Sequence, residues 1–132
     1  MEVERKIIRV VAAIIEKDDK ILIAKRNYGG FDGLWEFPGG KYEKGETGEE
    51  AIIREIEEEF DTEICVNEFL CTIDHDYDSF HLTMDCYICS LITDNLHLHD
   101  HSAIRWINPM EENIDWVPAD IKVINNYKEK IR

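Results

Sequence analysis

One helix, over residues 47–60, has to satisfy two demands at once, and that narrows what the whole chain can become. Thr47 stands three residues before Glu50, the spacing of a capping box in which each residue satisfies a backbone amide of the other. Ile52, Ile53, Ile56 and Phe60 recur at helical spacing and predict a buried stripe, and the helix should stop near Asp61. Glu55, Glu58 and Glu59 fall at i, i+3 and i+4 and so share a face. Each like-charge pair on a free helix costs a few tenths, about 0.2–0.5, of a kcal/mol. Arg54 can pair with Glu50 or Glu58 four residues away but sits to the side. A divalent cation would convert the repulsion into binding energy, and hard oxygen donors in this number suit Mg²⁺ or Mn²⁺. Taken alone, the same acids also read as a solvated helix face.

The flanking segments read as strands. Residues 6–16 (Lys6 to Glu16) are rich in Ile and Val, Asp18-Asp19 is a turn signal, and residues 20–26 (Lys20 to Arg26) complete a hairpin. A glycine-containing loop from Asn27 to Leu34 leads into Trp35-Glu-Phe-Pro-Gly-Gly40, a short extended piece. Residues 63–75 and 80–93 predict two more strands joined by a polar turn, Asp74 to Asp78. In the second, Phe80, Leu82, Met84, Cys86 and Ile88 alternate onto one face. A short strand is expected at residues 103–108. Pro118 suits the first turn of a last helix running to about Lys130, with Ile121, Ile124 and Tyr127 as its apolar side. No repeat, low-complexity tract or linker divides the 132 residues, so a single domain over 1–132 is expected. Strands interrupted irregularly by two helices predict an α+β fold, a mixed sheet covered by helices.

A net charge of −14 repels nucleic-acid backbones and anionic membranes, which leaves a small substrate carried with its own cation. No apolar run is long enough to span a bilayer, and Met1-Glu2-Val3-Glu4 lacks an apolar signal region, so a cytoplasmic location is expected. Cys86-Tyr-Ile-Cys89 has zinc-like spacing, but residues three apart on a strand face opposite ways. Cys65, Cys71, Cys86 and Cys89 are therefore expected as buried or half-buried free thiols. His75, His97, His99 and His101 match no metal-ligand spacing and read as loop and strand residues.

Gly39, Gly40 and Gly45, leading into the helix, allow close backbone approach to a ligand and could face phosphates. Glu46, just before the cap, is placed to hold Arg54 or the loop. The whole segment Gly40-x5-Glu46-x7-Arg54-Glu55-Ile56-x-Glu58-Glu59 resembles the Nudix box, G-x5-E-x7-R-E-U-x-E-E-x-G-U with U aliphatic, at every charged position and both gaps. Leu34-Trp-Glu-Phe-Pro-Gly-Gly-Lys41, Gly45-Glu-Thr47, Arg105-Trp106-Ile107 and Val117-Pro-Ala-Asp120 are similar to the MutT-like branch, so nearly the whole chain is covered. Two positions depart: Asp61 replaces the box glycine and Thr62 the aliphatic residue.

The resemblance implies a Nudix-type α/β/α fold. It also implies Mg²⁺-dependent hydrolysis of a nucleoside diphosphate linked to another group, with Mn²⁺ as a substitute metal. Glu58 and Glu59 would be metal ligands with the carbonyl of Gly40. Glu55 would be a ligand or would orient the attacking water, and is the first choice for general base. Arg54 would position Glu46 or Glu55. Asp100, six residues before Trp106, is either one more metal ligand or an ordinary loop acid. Lys25 and Arg26 either face the phosphates or lie at the surface. Phe37 and Tyr77 stack on the base or belong to the core.

In this branch a residue before the last helix reads the base, and here that place is Asp120. An ionised Asp only accepts hydrogen bonds, which favours an exocyclic amine and hence CTP or modified dCTP. A protonated Asp also donates, which keeps 8-oxo-dGTP open, and an acid there also suits the helix dipole. The leading expectation is a nucleoside triphosphate pyrophosphohydrolase acting in nucleotide-pool sanitation, as a monomer or homodimer. The alternatives are a hydrolase of nucleotide sugars or dinucleoside polyphosphates, and a non-catalytic module that senses a nucleotide.

Overall fold

The computed structural model describes residues 5–27, 29–98 and 101–132. The elements run β1 (Lys6–Lys17), β2 (Lys20–Arg26), β3 (Trp35–Glu36), β4 (Gly39–Lys41), α1 (Gly48–Phe60), β5 (Ile64–Asp76), β6 (Phe80–Leu91), β7 (His101–Ile107) and α2 (Pro118–Ile131). The sheet is mixed, in the order β3-β2-β1-β6-β5, with β4 on β1 and β7 on β2. β1 and β6 run parallel along their whole length, while β5 and β6 are antiparallel.

β1 can be apolar at successive positions because both faces of the sheet are covered. Val11, Ala13 and Ile15 pack toward α1 with Leu22, Ile52, Ile56 and Phe60. Ala12 and Ile14 pack toward α2 with Met84, Ile88, Val123 and Tyr127. No helix among the described residues is long and apolar enough to cross a membrane.

The expected β1–β2 hairpin forms only at its tip, where Glu16 faces Ile21 and Lys17 faces Lys20. Beyond that the strands part, and residues 35–41 enter the gap. Trp35 and Glu36 pair with Lys25 and Ala24 of β2. Gly39, Gly40 and Lys41 pair with Ala12, Val11 and Val10 of β1. The Ala13 amide donates to the Pro38 carbonyl at 2.8 Å. A Cβ on Gly39 would stand 1.9 Å from the Val11 carbonyl oxygen, so no side chain fits there.

Two helix stripes differ from expectation. Ile53 is 38% exposed, and Ala51 and Glu59 are buried in its place. At about 100° per residue, Glu59 lies only about 20° from Ile52, inside the buried arc, whereas Ile53 falls about 20° beyond Phe60, just outside it. In α2, Ile121 is 46% exposed, and Ala119, Asp120 and Val123 join Ile124 and Tyr127 on the buried side. Cys65 is exposed rather than half-buried. As expected, Cys86 and Cys89 face opposite core layers.

The α1 ends explain the two departures from the box. Asp61 takes the left-handed C-cap conformation (φ 50°, ψ 39°) and donates its amide to the Glu57 carbonyl. This is the backbone the box glycine adopts at no cost, and Asp tolerates it better than most residues. Thr62 is buried at 3%, and its hydroxyl lies 3.4 Å from that of Thr93. At the other end the capping box is complete. The Glu50 amide donates to Thr47 Oγ1 at 3.2 Å, and the Thr47 amide to Glu50 Oε1 at 2.9 Å. Thr47→Ala removes half of it and should cost about 1 kcal/mol, read as a lower urea midpoint with an unchanged m-value. A midpoint equal to the parent's would show that α1 is held by its packing alone.

Candidate active site

Arg54 organises the mouth of the site. Its Nε donates to Glu46 Oε2 at 2.6 Å and its Nη2 to Glu46 Oε1 at 2.8 Å, a bidentate grip. Nη2 also donates to the Lys41 carbonyl at 2.9 Å, which ties α1 to the end of β4. Nη1 reaches Glu55 at 2.8 Å and Glu58 at 3.2 Å. Arg54 therefore stands among the acids rather than to their side. Hydrogen bonds from Arg54 pull Glu46 down to about 2, and Glu46 in turn accepts the Glu43 amide at 2.7 Å.

The three box acids occupy different environments. Glu58 is exposed and Glu59 is buried at 7%. Glu55 is half-buried against Gly40, where an added Cβ would lie 2.2 Å from Glu55 Oε2. Burial lifts its pKa above the ordinary carboxylate range, opposed by the hydrogen bond from Arg54.

Glu36 and His101 join this site without having been singled out in the sequence. Glu36 accepts from Arg26 Nη1 at 3.2 Å. His101 Nε2 lies 2.9 Å from Glu36 Oε2 and its Nδ1 4.0 Å from Glu59 Oε2. His101 opens β7 and is buried at 5%. An acid inside an otherwise apolar extended piece, Trp35-Glu-Phe-Pro, was the available signal, because a buried carboxylate needs partners. Nothing local points to a histidine 65 residues away.

On the α2 side the same inserted segment meets Asp120. The Phe37 amide donates to Asp120 Oδ2 at 2.8 Å. The Phe37 ring is 4% exposed and stacks on Trp116 with centroids 5.1 Å apart. Tyr77 accepts the Ala119 amide at 3.1 Å and packs against Phe31, His75 and Phe80. Burial drives the Asp120 carboxyl up to about 8, opposed by the Phe37 amide. At neutral pH it is mostly the neutral acid, which both donates and accepts, rather than the ionised acceptor assumed from sequence. Lys25 and Arg26 end β2 half-buried, with Lys25 opposite Trp35. Asp100 and His99 lie outside the described residues.

The residues can be compared with the requirements of a divalent metal. The donors of Glu55, Glu58 and Glu59 are all hard oxygens, the kind Mg²⁺ and Mn²⁺ take. A cationic nitrogen of Arg54 already bridges two of them. Among the described residues no three His, Cys, Asp or Glu side chains yet converge as a finished cage, since Glu59 turns in toward His101. The donor set fits in kind, and Glu58, being exposed, is free to reorient.

Comparison with known proteins agrees with this geometry. The NUDIX domain family matches residues 10–125. The chain belongs to the NUDIX family. It is a Nudix hydrolase of the MutT-like branch. It is 36% identical over 125 residues to the CTP pyrophosphohydrolase of Escherichia coli K12, covering 92% of each chain. It is also 36% identical over 90 residues to the 8-oxo-dGTP diphosphatase of Proteus vulgaris, covering 64% of this chain and 78% of that one. The crystal structure of a MutT NUDIX hydrolase from Burkholderia pseudomallei superposes with a TM-score of 0.81 at 26% identity, covering 92% of this chain and 98% of that one. The expected mixed sheet between helices is the fold these neighbours share.

Asp120 leaves a mark on the pH dependence of this Nudix hydrolase. Its folded pKa, about 8, stands above the ordinary 3.8 of the unfolded chain. The fold thus prefers the proton, and the stability this gives is complete below the unfolded value and lost as pH rises through about 8. The parent should lose unfolding free energy relative to Asp120→Asn between mildly acid pH and pH about 8. Parallel urea titrations across that range test this, and curves that stay parallel would place Asp120 in a polar, solvated setting.

Proposed function

We propose that this Nudix hydrolase cleaves a nucleoside triphosphate, CTP or a modified dCTP first, into the monophosphate and pyrophosphate with Mg²⁺, or Mn²⁺ in its place. The observation that carries the reading is the inserted segment 35–41, which presents Gly40 to the box acids of α1 and Phe37 to Asp120 of α2. A polyphosphate end and a base end are thereby set on one short stretch of backbone. The 36% identity with a CTP pyrophosphohydrolase, along 92% of both chains, supports the same substrate class.

Glu58, Glu59, Glu55 and the Gly40 carbonyl are the groups that would hold the metal, with Asp100 as the candidate from the segment before β7. When bound, the ion supplies charge neutralisation and Lewis acidity to the polyphosphate. The rest is positioning, which pyrophosphoryl transfer needs more than covalent help. Glu55 accepts the proton of the attacking water, and its raised pKa makes it a better base than an exposed carboxylate. Arg54, clamped on Glu46 and Lys41, holds Glu55 in place. Lys25 and Arg26 bring positive charge toward the phosphates at the end of β2. Asp120 meets the base edge, with Phe37 supplying the amide that orients it.

A second base is favoured by one observation. The neutral Asp120 carboxyl can donate as well as accept, as recognition of 8-oxo-dGTP requires. Hydrolysis of CTP, modified dCTP, 8-oxo-dGTP, a nucleotide sugar and a dinucleoside polyphosphate, with the products resolved by chromatography, separates the readings, since only a triphosphate yields pyrophosphate. The expected result is turnover of triphosphates, with the highest kcat/KM for a cytidine nucleotide. Preference for the sugar or dinucleotide would overturn the substrate class, and binding without turnover would make the domain a sensor. If the donor matters, kcat/KM for 8-oxo-dGTP falls relative to CTP above pH about 8. Asp120→Asn shifts the ratio of the two by about tenfold, roughly one hydrogen bond. Glu58→Gln lowers kcat by at least about a hundredfold with the fold retained; near-parent turnover would remove Glu58 from the metal site.

A further inference from the structure

The hydrolytic reading uses none of the four cysteines, all of which are free thiols. Cys71 on β5 and Cys86 on β6 are direct partners across the antiparallel pair. Both pack into the core layer beneath α2. Directly opposed antiparallel residues have Cα atoms about 4.5–5.5 Å apart. A disulfide spans about 4.4–6.8 Å between Cα atoms, a range within which a directly opposed pair falls. The other pairings lack this geometry. Cys65 faces Ser90, and Cys89 faces Val66, which leaves Cys65 and Cys89 one position out of step and on opposite faces. Cys86 and Cys89 are divided between the two core layers.

The two thiols are unequal. Cys71 is half-buried on the edge strand, directly after a register shift between Phe69 and Cys71 that loosens the ladder there. Cys86 is fully buried. The neighbouring Cys86 pulls the Cys71 thiol below its ordinary range, while Cys86, whose S–H donates to the Met84 carbonyl at 3.8 Å, is itself held firmly protonated. A more accessible sulfur beside a sheltered partner is the arrangement of a reactive and a resolving cysteine.

We propose that Cys71 and Cys86 are a hydroperoxide-sensitive pair that closes into a reversible cross-strand disulfide. The Cys71 thiolate attacks one oxygen of hydrogen peroxide. An S–O bond forms, the O–O bond breaks, and hydroxide leaves and takes up the proton the thiol released. Cys86 sulfur then attacks the Cys71 sulfenic acid. The S–S bond forms, the S–O bond breaks, and the departing hydroxide takes the Cys86 proton as water. Each sulfur gives up one electron, and the pair reduces one peroxide to two waters. The product locks the edge strand β5 to β6 beneath the helix that carries Asp120.

The test is peroxide treatment of the whole chain, alkylation of the remaining thiols, and peptide mass spectrometry. The expected result is a linked Cys71–Cys86 peptide and two thiols lost of the four, both restored by dithiothreitol, with Cys89 unmodified. Cys71→Ser, a change at a half-buried position, should abolish the link and leave Cys86 reduced. Three results would each overturn the proposal. They are Cys71 stopping at a sulfinic acid with no link, a link that uses Cys65 or Cys89, and thiols that survive peroxide sufficient to oxidise a simple cysteine peptide. None of these readouts depends on nucleotide turnover, so the pair and the hydrolase reading stand or fall separately.

Discussion

The structure depends on a wedge of backbone. β1 and β2 begin as a hairpin and part, and residues 35–41 close the gap by pairing with one strand and then the other. The contact that permits this is Gly39 against the Val11 carbonyl, where an added methyl would stand 1.9 Å from the oxygen. Because the wedge lies in the plane of the sheet, its successive residues address different layers. Glu36 meets Arg26 and His101, Phe37 meets Asp120, and Gly40 meets Glu55. A seven-residue segment thus links the strands and both helices, and a distortion of it would be felt by the acids and by Asp120 together.

Charge is handled by sharing. A row of carboxylates on one helix should repel, and Arg54 answers with five hydrogen bonds to four partners, Glu46, Glu55, Glu58 and the Lys41 carbonyl. The guanidinium suits this because its planar fork makes several directed hydrogen bonds at once, which an ammonium group cannot match. The result is a graded series of acids. Glu46 is pinned as an anion, Glu55 is lifted by burial, Glu58 faces water and Glu59 is enclosed. Four chemically identical side chains thus meet four different environments through their surroundings alone.

Much of this was legible beforehand because its causes are local. The capping box at Thr47 and Glu50, the first-turn Pro118 and the alternation along β6 depend on neighbours a few residues away. Helical spacing grouped Glu55, Glu58 and Glu59 for the same reason, and the resemblance to the Nudix box tied them to Gly40, Glu46 and Arg54. Where the reading slipped, the cause was tertiary. Ile53 and Ile121 have the right spacing for a stripe, but the surface each helix buries against the sheet leaves them at its margin, exposed. Glu59 falls inside the buried arc by its helical position, and His101, from a distant strand, is what it meets there.

The sequence by itself determined the elements, the acid cluster and the helix caps, because periodicity expresses the geometry of single helices and strands, and it pointed to the family through its resemblance to the Nudix box. The tertiary structure decided what those groups experience. It buried Asp120 and so moved its carboxyl from an assumed anion to a mostly neutral acid, and it recruited Glu36 and His101. It also set Cys71 opposite Cys86. The physical reason is that desolvation and long-range contact depend on which surfaces meet, and a linear pattern carries no record of that until the chain has closed on itself.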